Sequence, residues 1–501
     1  MFRKLAAGAL LATVLSAGAA AQNASTVVAN ASKAMGAEGL NSITYSGSAL
    51  NGNFGQSKSI AGPLAMTTIT NYTRAIDLKQ PASRATGATM PPAIPGLPPP
   101  QPGNFNQNIL PTNAAWTQQL EIWVTPWGFL KGAAANNATV RSERIGGRTF
   151  NVVTWMPAQK SPSGQTYRLN GYINDQNLVE RVETWVEHLV LGDLHVDTTY
   201  GPYQDFGGVK VPTKITQKRA GLQTFEATIT SARANPANIA ELLTPPPPPQ
   251  AAAGAGGGAA PAGPPPPPAV QSEKLADGVY RITGGYVALA VEFRDHTVVI
   301  EGGQSEARGL AVISEARRVI PKPIRYVVNT HPHFDHSSGL APFAAEGITI
   351  ITHENNKDFL EKALSAPRTL VGDNLSKPVR QLKADVFTYG LRKPVVEAAG
   401  DRRTLRDDTR TIELYNVRNL QHSDGMLVAY LPKEKLLMSA DFGLPAPNAP
   451  ANAPANPSIA VLQQNVDRLN LEITGHVTVH APNPDRPVTS PDLVALANGT
   501  N

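Results

Sequence analysis

Four side chains that can bind a metal ion lie close together in the segment of residues 331–336. They directly follow a run of apolar residues, Ile324–Val328, which we expect to form a buried strand. Pro332 disfavours a helix at this point, so the sequence predicts a loop that can wrap round an ion. Imidazole and carboxylate ligands suit zinc best, and iron and manganese also accept them. The four candidate ligands are His331, His333, Asp335 and His336.

The spacing of these residues, His-x-His-x-Asp-His, resembles the metal-binding motif of the metallo-β-lactamase superfamily, and the chain matches it in full. The resemblance implies an α/β fold of the αββα sandwich type, with further ligands on loops at one edge. It makes His422 the third histidine and Asp441 a bridging aspartate, each after a predicted strand. The last histidine is His480 or His476. We favour His480 because it ends a β-like run, although Ala481 follows it where the family usually has glycine.

The resemblance also implies two divalent metal ions, with zinc favoured. Two neighbouring dications acidify a shared water, which makes hydroxide available at neutral pH, and they polarise a substrate carbonyl or phosphoryl group. In that chemistry Asp335 is the candidate catalytic residue, which would orient the hydroxide and pass its proton to the leaving group. The implied ligands are His331, His333 and His422 for one ion, Asp335, His336 and His480 for the other, and Asp441 for both.

Other polar residues near these ligands have weaker claims to a role. Asp424 is a candidate acceptor that would fix the tautomer of a ligand histidine, and Ser337 and Ser338 are candidate donors to Asp335. A solvated loop accounts for these three residues equally well. His353 could line the cleft, although a surface or packed position is favoured.

The C-terminal part of the chain, residues 272–501, alternates between strand and helix patterns after an early meander. Such a pattern predicts a layered sandwich with sheets inside and helices outside. The predicted strands are 279–282, 286–293, 297–300, 324–329, 347–352, 411–417, 426–430 and 436–439, and the predicted helices are 305–320, 355–364 and 459–469.

The N-terminal part, residues 22–243, has a strand-like texture in which Gly and Asn turns separate runs of Val, Thr, Tyr and Trp. We expect a mainly antiparallel domain, curved like a half-barrel, after a helix over 24–35. The segment 203–214 weakly resembles part of the periplasmic lipoprotein-carrier half-barrels. The predicted strands are 150–155, 167–173, 179–190, 194–200 and 225–229.

A proline-rich tract separates these two parts and predicts a linker over residues 244–271, because neither proline runs nor Gly/Ala tracts can bury a core. At the other end, residues 1–21 have the basic start, apolar run and small-residue site of a signal peptide, with cleavage near Ala21. No second stretch is long enough to span a bilayer. The sequence therefore predicts a periplasmic or secreted protein with two domains.

Composition excludes several classes of function. The chain has no cysteine, which rules out disulfides, thiolate ligands and a cysteine nucleophile. Its formal net charge of +5 is small for 501 residues and is not gathered into basic runs, so nucleic acid is not an expected partner. The sequence leaves the oligomeric state open.

Together these features predict an exported metal-dependent hydrolase of a small molecule with an ester, thioester or lactone bond. A β-lactam hydrolase of the same fold is an alternative, although a bridging Asp441 is more typical of glyoxalase-II-like members of the family. An alternative from another class is a periplasmic protein whose N-terminal sheet binds a lipid or acyl chain, with the C-terminal part as a metal-stabilised module. It rests on the apolar strands around Trp155, Trp185 and Tyr200.

Overall fold

The computed structural model describes seven stretches of the chain. Residues 1–22, 246–269 and 443–456 lie outside them, and with them the predicted signal peptide and most of the predicted linker. No helix in the described stretches is long and apolar enough to cross a membrane. The described residues are 23–94, 99–110, 115–245, 270–383, 386–390, 392–442 and 457–480.

The N-terminal part is built on one sheet of eleven strands, all paired antiparallel, in the order β4-β3-β2-β1-β13-β12-β9-β8-β7-β6-β5; β10 and β11 form a separate hairpin. The strands are β1 Ser42–Gly52, β2 Met66–Asp77, β3 Ala82–Met90, β4 Gly103–Ile109, β5 Thr139–Ile145, β6 Arg148–Trp155, β7 Leu169–Ile173, β8 Val179–His188, β9 Gly192–Tyr200, β10 Tyr203–Phe206, β11 Val209–Pro212, β12 Lys214–Arg219 and β13 Leu222–Ala234. The helices are α1 Ala24–Ala34, α2 Trp116–Trp123, α3 Pro126–Ala135 and α4 Ile239–Leu243.

Helices α1 to α3 contribute to one hydrophobic core with this sheet. Local sequence fixes where α3 begins, because the Thr125 side chain accepts from the Gly128 amide and Pro126 occupies the first turn. Gly132 on α3 lets the Trp155 ring approach so closely that a Cβ there would lie 2.3 Å from it. Trp155 is thus a core residue, which weakens one of the grounds for expecting a lipid-binding cavity in this sheet.

The prediction of a mainly antiparallel N-terminal domain is confirmed, and each predicted strand lies on an observed one. The expected helix over 24–35 is α1. Strands β1 to β5 and β10 to β12 and helices α2 to α4 were missed. Strands β1 to β4 are rich in Ser, Thr, Asn, Ala and Gly, so their sequences lack the alternation of apolar and polar residues that marks a strand.

The C-terminal part has two main sheets. One has seven strands in the order β14-β15-β16-β17-β18-β19-β22, and the other has five strands, β23 to β27 in sequence order. The strands are β14 Gln271–Ala276, β15 Val279–Thr283, β16 Ala288–Glu292, β17 Thr297–Ile300, β18 Ile324–Val328, β19 Thr349–His353, β20 Val379–Lys383, β21 Val386–Gly390, β22 Val396–Ala399, β23 Arg402–Arg406, β24 Thr411–Asn416, β25 Leu427–Leu431, β26 Leu436–Ser439 and β27 Gly475–Thr478. The helices are α5 Glu306–Val319, α6 Phe334–Ser337, α7 Leu340–Glu346, α8 Glu354–Leu364 and α9 Pro457–Leu469, with a 3-10 turn at Asn374–Ser376.

These elements form four layers. One core joins the facing sides of the two sheets and includes the apolar side of α9, and another joins the outer side of the seven-stranded sheet to α5, α7 and α8. The order of layers is therefore helix, sheet, sheet, helix, as the αββα prediction requires.

Two details of the motif region differ from the prediction. His331 and His333 lie in a loop as expected, but Asp335 and His336 lie on the one-turn helix α6. That helix forms because the His333 carbonyl accepts from the amides of both His336 and Ser337, directly after the proline that the prediction took as a helix breaker. In addition, β16 begins at Ala288, so Tyr286 lies in the preceding turn.

The two parts of the chain contact each other directly. The turn between β8 and β9 meets residues 367–373, where the buried Arg368 guanidinium donates to the carbonyls of Leu189 and Val190 at 2.6 and 3.3 Å. In return the Asp193 carboxylate accepts from the amide of Leu370 at 2.8 Å. The same guanidinium forms a buried ion pair with Asp373, whose Oδ2 lies 2.7 Å from Arg368 Nε.

We predict that Arg368→Ala lowers the free energy of unfolding by about 3–5 kcal/mol, because it leaves the buried Asp373 carboxylate without its counter-charge. Equilibrium unfolding in urea measures the change. The matched control is Arg318→Ala, which removes the exposed guanidinium that pairs with Glu315 one turn earlier on α5 and should cost about 0–1 kcal/mol. A loss below 1 kcal/mol for Arg368→Ala would contradict the prediction.

Candidate metal centre

The seven predicted ligands all lie beyond the C-terminal ends of strands in the two facing sheets. His331 and His333 follow β18, and His422 lies in the connection between β24 and β25. Asp441 follows β26 and His480 follows β27; these two strands are parallel neighbours, with Ser439 opposite Thr478. The sandwich therefore brings together residues that are far apart in the sequence.

The first group of ligand atoms comes from His331, His333, His422 and Asp441, and one atom of each lies within 4.8 Å of the others. Oδ2 of Asp441 is 2.8 Å from Nε2 of His422 and 3.2 Å from Nε2 of His331. The His333 ring packs edge-on against the rings of His331 and His422, with centroids 4.5 Å apart in both cases.

The second group comes from Asp335, His336, His480 and again Asp441, also within 4.8 Å of one another. Oδ1 of Asp441 is 2.6 Å from Nε2 of His480 and 3.0 Å from Nε2 of His336. Oδ2 of Asp335 is 3.5 Å from the same His336 nitrogen. One oxygen of Asp441 thus faces each group, which is the position a bridging carboxylate occupies.

Four buried atoms of these residues have no hydrogen-bond partner in the part of the chain that the structure describes: Nε2 of His331, Nδ1 of His333, Nε2 of His422 and Oδ1 of Asp441. They lie close together, yet no hydrogen bond of acceptable geometry joins them. Buried polar atoms without a partner cost free energy; here the three imidazole nitrogens belong to the first group, and Oδ1 of Asp441 faces the second. Imidazole nitrogens and a carboxylate in such an arrangement fit a divalent metal ion of the zinc type.

The charge states of the first group also fit a cation. Burial and the neighbouring His336 imidazole hold the pKa of His331 well below its usual range, and burial together with His422 lowers the pKa of His333 to about 4. Burial raises the pKa of Asp441, but the surrounding histidines outweigh it and hold that pKa far below normal. At neutral pH, His331 and His333 are therefore neutral with free lone pairs, and Asp441 is ionised.

His336 differs because a second carboxylate lies behind it. Nδ1 of His336 is 3.0 Å from Oε2 of Glu301, a fully buried residue that also accepts from the Thr330 amide at 2.8 Å. Burial lowers the pKa of His336, but Glu301 and Asp441 outweigh it and raise that pKa to about 10. Glu301 has a left-handed backbone, with φ at 72°, so its conformation is strained at the position where it orients a candidate ligand.

Asp335 is held from both sides by hydrogen-bond donors. Nε2 of Gln56 donates to its Oδ1 at 2.6 Å, and the Tyr286 hydroxyl donates to its Oδ2 at 3.0 Å. Tyr286 is placed by the buried Arg308, which donates to the Tyr286 carbonyl through Nε and Nη2 at 3.2 and 2.9 Å. Burial raises the pKa of Asp335, but His336 and the two donors outweigh it, so the group stays ionised at neutral pH.

The weaker candidates lie elsewhere. Asp424 forms an ion pair with Lys58 at 3.8 Å, and the Ser338 hydroxyl donates to the Phe334 carbonyl at 2.6 Å. The Ser337 hydroxyl has no partner among the described residues. His353 is buried and accepts from the Asn355 amide. None of these contacts reaches the ligand groups, so their suggested supporting roles have no counterpart in the geometry.

The two candidates for the last ligand histidine, His480 and His476, have different surroundings. His480 lies in the second group, and its ring packs edge-on against Tyr286 at 4.3 Å between centroids. His476 is buried, and its Nε2 lies 2.7 Å from the Ser439 hydroxyl. The structure therefore brings His480, and not His476, to the other candidate ligands.

Comparison with known proteins identifies the C-terminal part. A family model described as the metallo-beta-lactamase superfamily matches residues 282–473. Those residues form a metallo-β-lactamase-superfamily domain. No curated protein matches the chain. Among solved structures, the metallo-beta-lactamase from Pontibacter korlensis is 17% identical, over 46% of this chain and 98% of that chain, with a TM-score of 0.34. The DIM-1 metallo-beta-lactamase is 15% identical, over 46% of this chain and 96% of that chain, with a TM-score of 0.33.

Reasoning from the sequence did not identify four residues that surround the candidate ligands of this superfamily domain. They are Gln56, Ser57, Tyr286 and Glu301. Glu301 had a local signal, because it is a charged residue directly after the buried strand β17. Tyr286 was placed inside a strand. Gln56 and Ser57 gave no signal, because they lie in the other domain and nothing in their sequence context marks them.

Proton release should accompany metal loading, because the proton on His336 must leave before its Nε2 can bind an ion. Since the pKa of His336 is about 10, we expect the affinity of the second group for a divalent ion to rise with pH, by up to about tenfold per unit between pH 6 and 9. Isothermal titration calorimetry in buffers of different ionisation enthalpy measures both effects. An affinity that does not change with pH, with no proton released, would show this prediction to be wrong.

Proposed function

We propose that this protein is an exported hydrolase that uses a dinuclear metal centre, with zinc as the favoured metal, to cleave an ester, thioester or lactone bond. The observation that carries the proposal is the position of Asp441, with one oxygen toward each of two converging ligand groups. Membership of the C-terminal domain in a superfamily rich in hydrolases supports the same conclusion.

In this proposal the two groups hold one ion each. The ligands are His331, His333 and His422 for the first ion, Asp335, His336 and His480 for the second, and Asp441 for both. Ions held there would supply Lewis acidity for the activation of water and the polarisation of the scissile carbonyl.

The residues of the chain supply orientation and proton transfer. Asp335 is ionised and held by two donors, so its carboxylate can accept a proton from water and return it to the leaving group. Glu301 fixes the His336 ring through Nδ1, which leaves Nε2 directed into the second group. His331 and His333 are fully buried and close one side of the first group to solvent, whereas His422 lines an open cleft.

The space beside His422 favours a small substrate. A cleft of about 440 Å³ opens there, between the loop that follows β1 and the start of α9, and its size is typical of sites for small molecules. Polar and apolar side chains share its lining, which suits an acyl compound better than a polyanion. Members of that lining include His422, Lys58, Gln421, Ile94, Leu420 and Val461.

Export is part of the proposal and rests on the sequence alone. The basic start, the apolar run and Ala19-Ala20-Ala21 support a signal peptide, and the absence of cysteine agrees with a chain that relies on packing and metal for stability.

Metal analysis combined with a substrate panel tests the proposal. We expect about two metal equivalents per chain and turnover of at least one ester, thioester or lactone, with phosphodiesters and a cephalosporin as comparison substrates. Asp335→Asn should lower turnover by about 10²–10⁴-fold, because the proton acceptor is lost. Full turnover of a chelator-stripped sample would overturn the proposal.

The last ligand can be tested separately. His480→Ala should abolish or strongly weaken binding of the second ion, because it removes one of the four groups around that position. His476→Ala should retain both ions and instead lower stability, since His476 is buried against Ser439. Metal content after dialysis and the thermal midpoint distinguish the two variants; retention of two ions by His480→Ala would exclude its role.

A second candidate function, ligand binding by the N-terminal sheet, is favoured by one observation. A cavity of about 380 Å³ lies against this sheet, and aromatic side chains line it together with the buried Arg74 and the ion pair of Arg219 with Glu121. Trp155 is in the core, the Trp185 ring stacks on His195, and Tyr200 lines the cavity. This mixed lining suits a small compound with an ionised group better than a long alkyl chain. Native mass spectrometry of the full chain with competing ligands tests it.

A further inference from the structure

A loop of the N-terminal domain enters the metal centre. The β1–β2 loop, residues 53–65, joins two strands of the eleven-stranded sheet, yet its first residues contact the motif segment of the C-terminal domain. Main-chain hydrogen bonds fix it there: the Phe334 amide donates to the Gly55 carbonyl at 3.1 Å, and the Asp424 amide donates to the Lys58 carbonyl at 2.7 Å. The loop is thus anchored on both sides of Gln56 and Ser57.

Gln56 contacts the candidate proton acceptor. Its amide group donates to Oδ1 of Asp335 at 2.6 Å, while Oδ2 of Asp335 is the oxygen nearer to His336. A carboxylate can rotate about its Cβ–Cγ bond. A donor on one oxygen fixes that rotation, and with it the direction of the other oxygen toward the second group. Gln56 and Tyr286, one from each domain, together set that rotation.

Ser57 acts on the first group through its main chain. Nε2 of His333 lies 3.1 Å from the Ser57 carbonyl, which can only accept, so the proton of the neutral imidazole must be on Nε2. The lone pair is then on Nδ1, which is the His333 atom that lies in the centre without a hydrogen-bond partner. A carbonyl behind a ligand histidine fixes its tautomer and ring orientation in this way.

Gly55 is what allows the loop to approach so closely. Its φ is +82°, which glycine adopts without strain, and a Cβ at this position would lie 2.0 Å from the Phe334 ring. Phe54 packs edge-on against the same ring at 5.2 Å between centroids. A side chain at residue 55 would therefore push the loop away from α6.

We propose that the β1–β2 loop is a structural part of the metal centre, in which Gln56 and the Ser57 carbonyl are positioning groups for Asp335 and His333. The N-terminal domain is thereby required for correct metal binding as well as for stability. This inference rests on the proposed function, because it assumes that the two groups bind metal. A purely architectural role for the loop is the competing explanation, but a separate surface, where residues 188–193 meet residues 367–373, also docks the domains.

Gln56→Ala in the full-length protein tests the first contact. We expect affinity for the second ion to fall about 10–100-fold while affinity for the first ion stays within about twofold, because only Asp335 loses a partner. Titration of metal-free protein with Co²⁺, followed by visible absorption and calorimetry, resolves the two steps. Gln176→Ala, at an exposed turn of the N-terminal domain, is the matched control and should bind both ions like the wild type.

Gly55→Ala tests the loop as a whole. It displaces both positioning groups without altering any ligand, so affinities for both ions should fall and the Co²⁺ spectrum should change at both steps. The matched control is Gly39→Ala, where a Cβ meets no atom within 4 Å. Circular dichroism and the thermal midpoint of the metal-free variants establish that each one folds.

The pattern across these variants decides the inference. Loss of the second ion alone in Gln56→Ala, with loss at both positions in Gly55→Ala, supports positioning. Wild-type affinities and spectra in both variants would overturn it, and so would an equal loss at both positions in Gln56→Ala, which indicates general destabilisation. Failure of the wild type to bind metal would instead overturn the proposed function.

Discussion

The convergence of five imidazole rings, three of them fully buried, around the Asp441 carboxylate is the constraint on which the rest of this structure depends. His331 and His333 are neutral at neutral pH and Asp441 is ionised, and three imidazole nitrogens and one Asp441 oxygen have no hydrogen-bond partner among the described residues. Buried polar atoms without a partner cost free energy, and the sandwich that brings these side chains together carries that cost. Stability and chemistry are therefore coupled at the same few atoms.

The sandwich imposes this constraint in two ways: its strand ends place the ligand residues, and buried residues behind them fix their orientation. Parallel pairing of β26 and β27 brings Asp441 beside His480. His331 and His333 lie at the same edge because they directly follow β18. Behind them, Glu301 accepts from His336 in a strained left-handed conformation, and Arg308 fixes the turn that carries Tyr286. These supports come from the domain core, whereas Gln56 comes from the neighbouring domain.

The sequence allowed prediction of those features whose physical signal is local. The motif of residues 331–336 is contiguous, so its ligand character and its place after a buried strand could be inferred directly, and the later strands of both domains show clear apolar runs. Helix α6 was missed because the hydrogen bonds that form it begin at the carbonyl next to Pro332. Gln56 and Ser57 could not be found, because their role depends on the docking of two domains and, for Ser57, on a main-chain atom that any residue provides. Strands β1 to β4 were missed because their polar residues lack alternation.

The contact between the β8–β9 turn and residues 367–373 has a further consequence for how this protein tolerates change. Arg368 binds the carbonyls of Leu189 and Val190, and Asp193 receives main-chain amides in return. Arg368 thus contacts only peptide carbonyls of the N-terminal domain, whereas Asp193 accepts from two main-chain amides and from the Thr369 hydroxyl. Residue 189 is exposed and can change in chemical character without loss of its hydrogen bond, whereas the buried Val190 must stay apolar, so the relative orientation of the two domains can be kept while the exposed part of the surface between them changes.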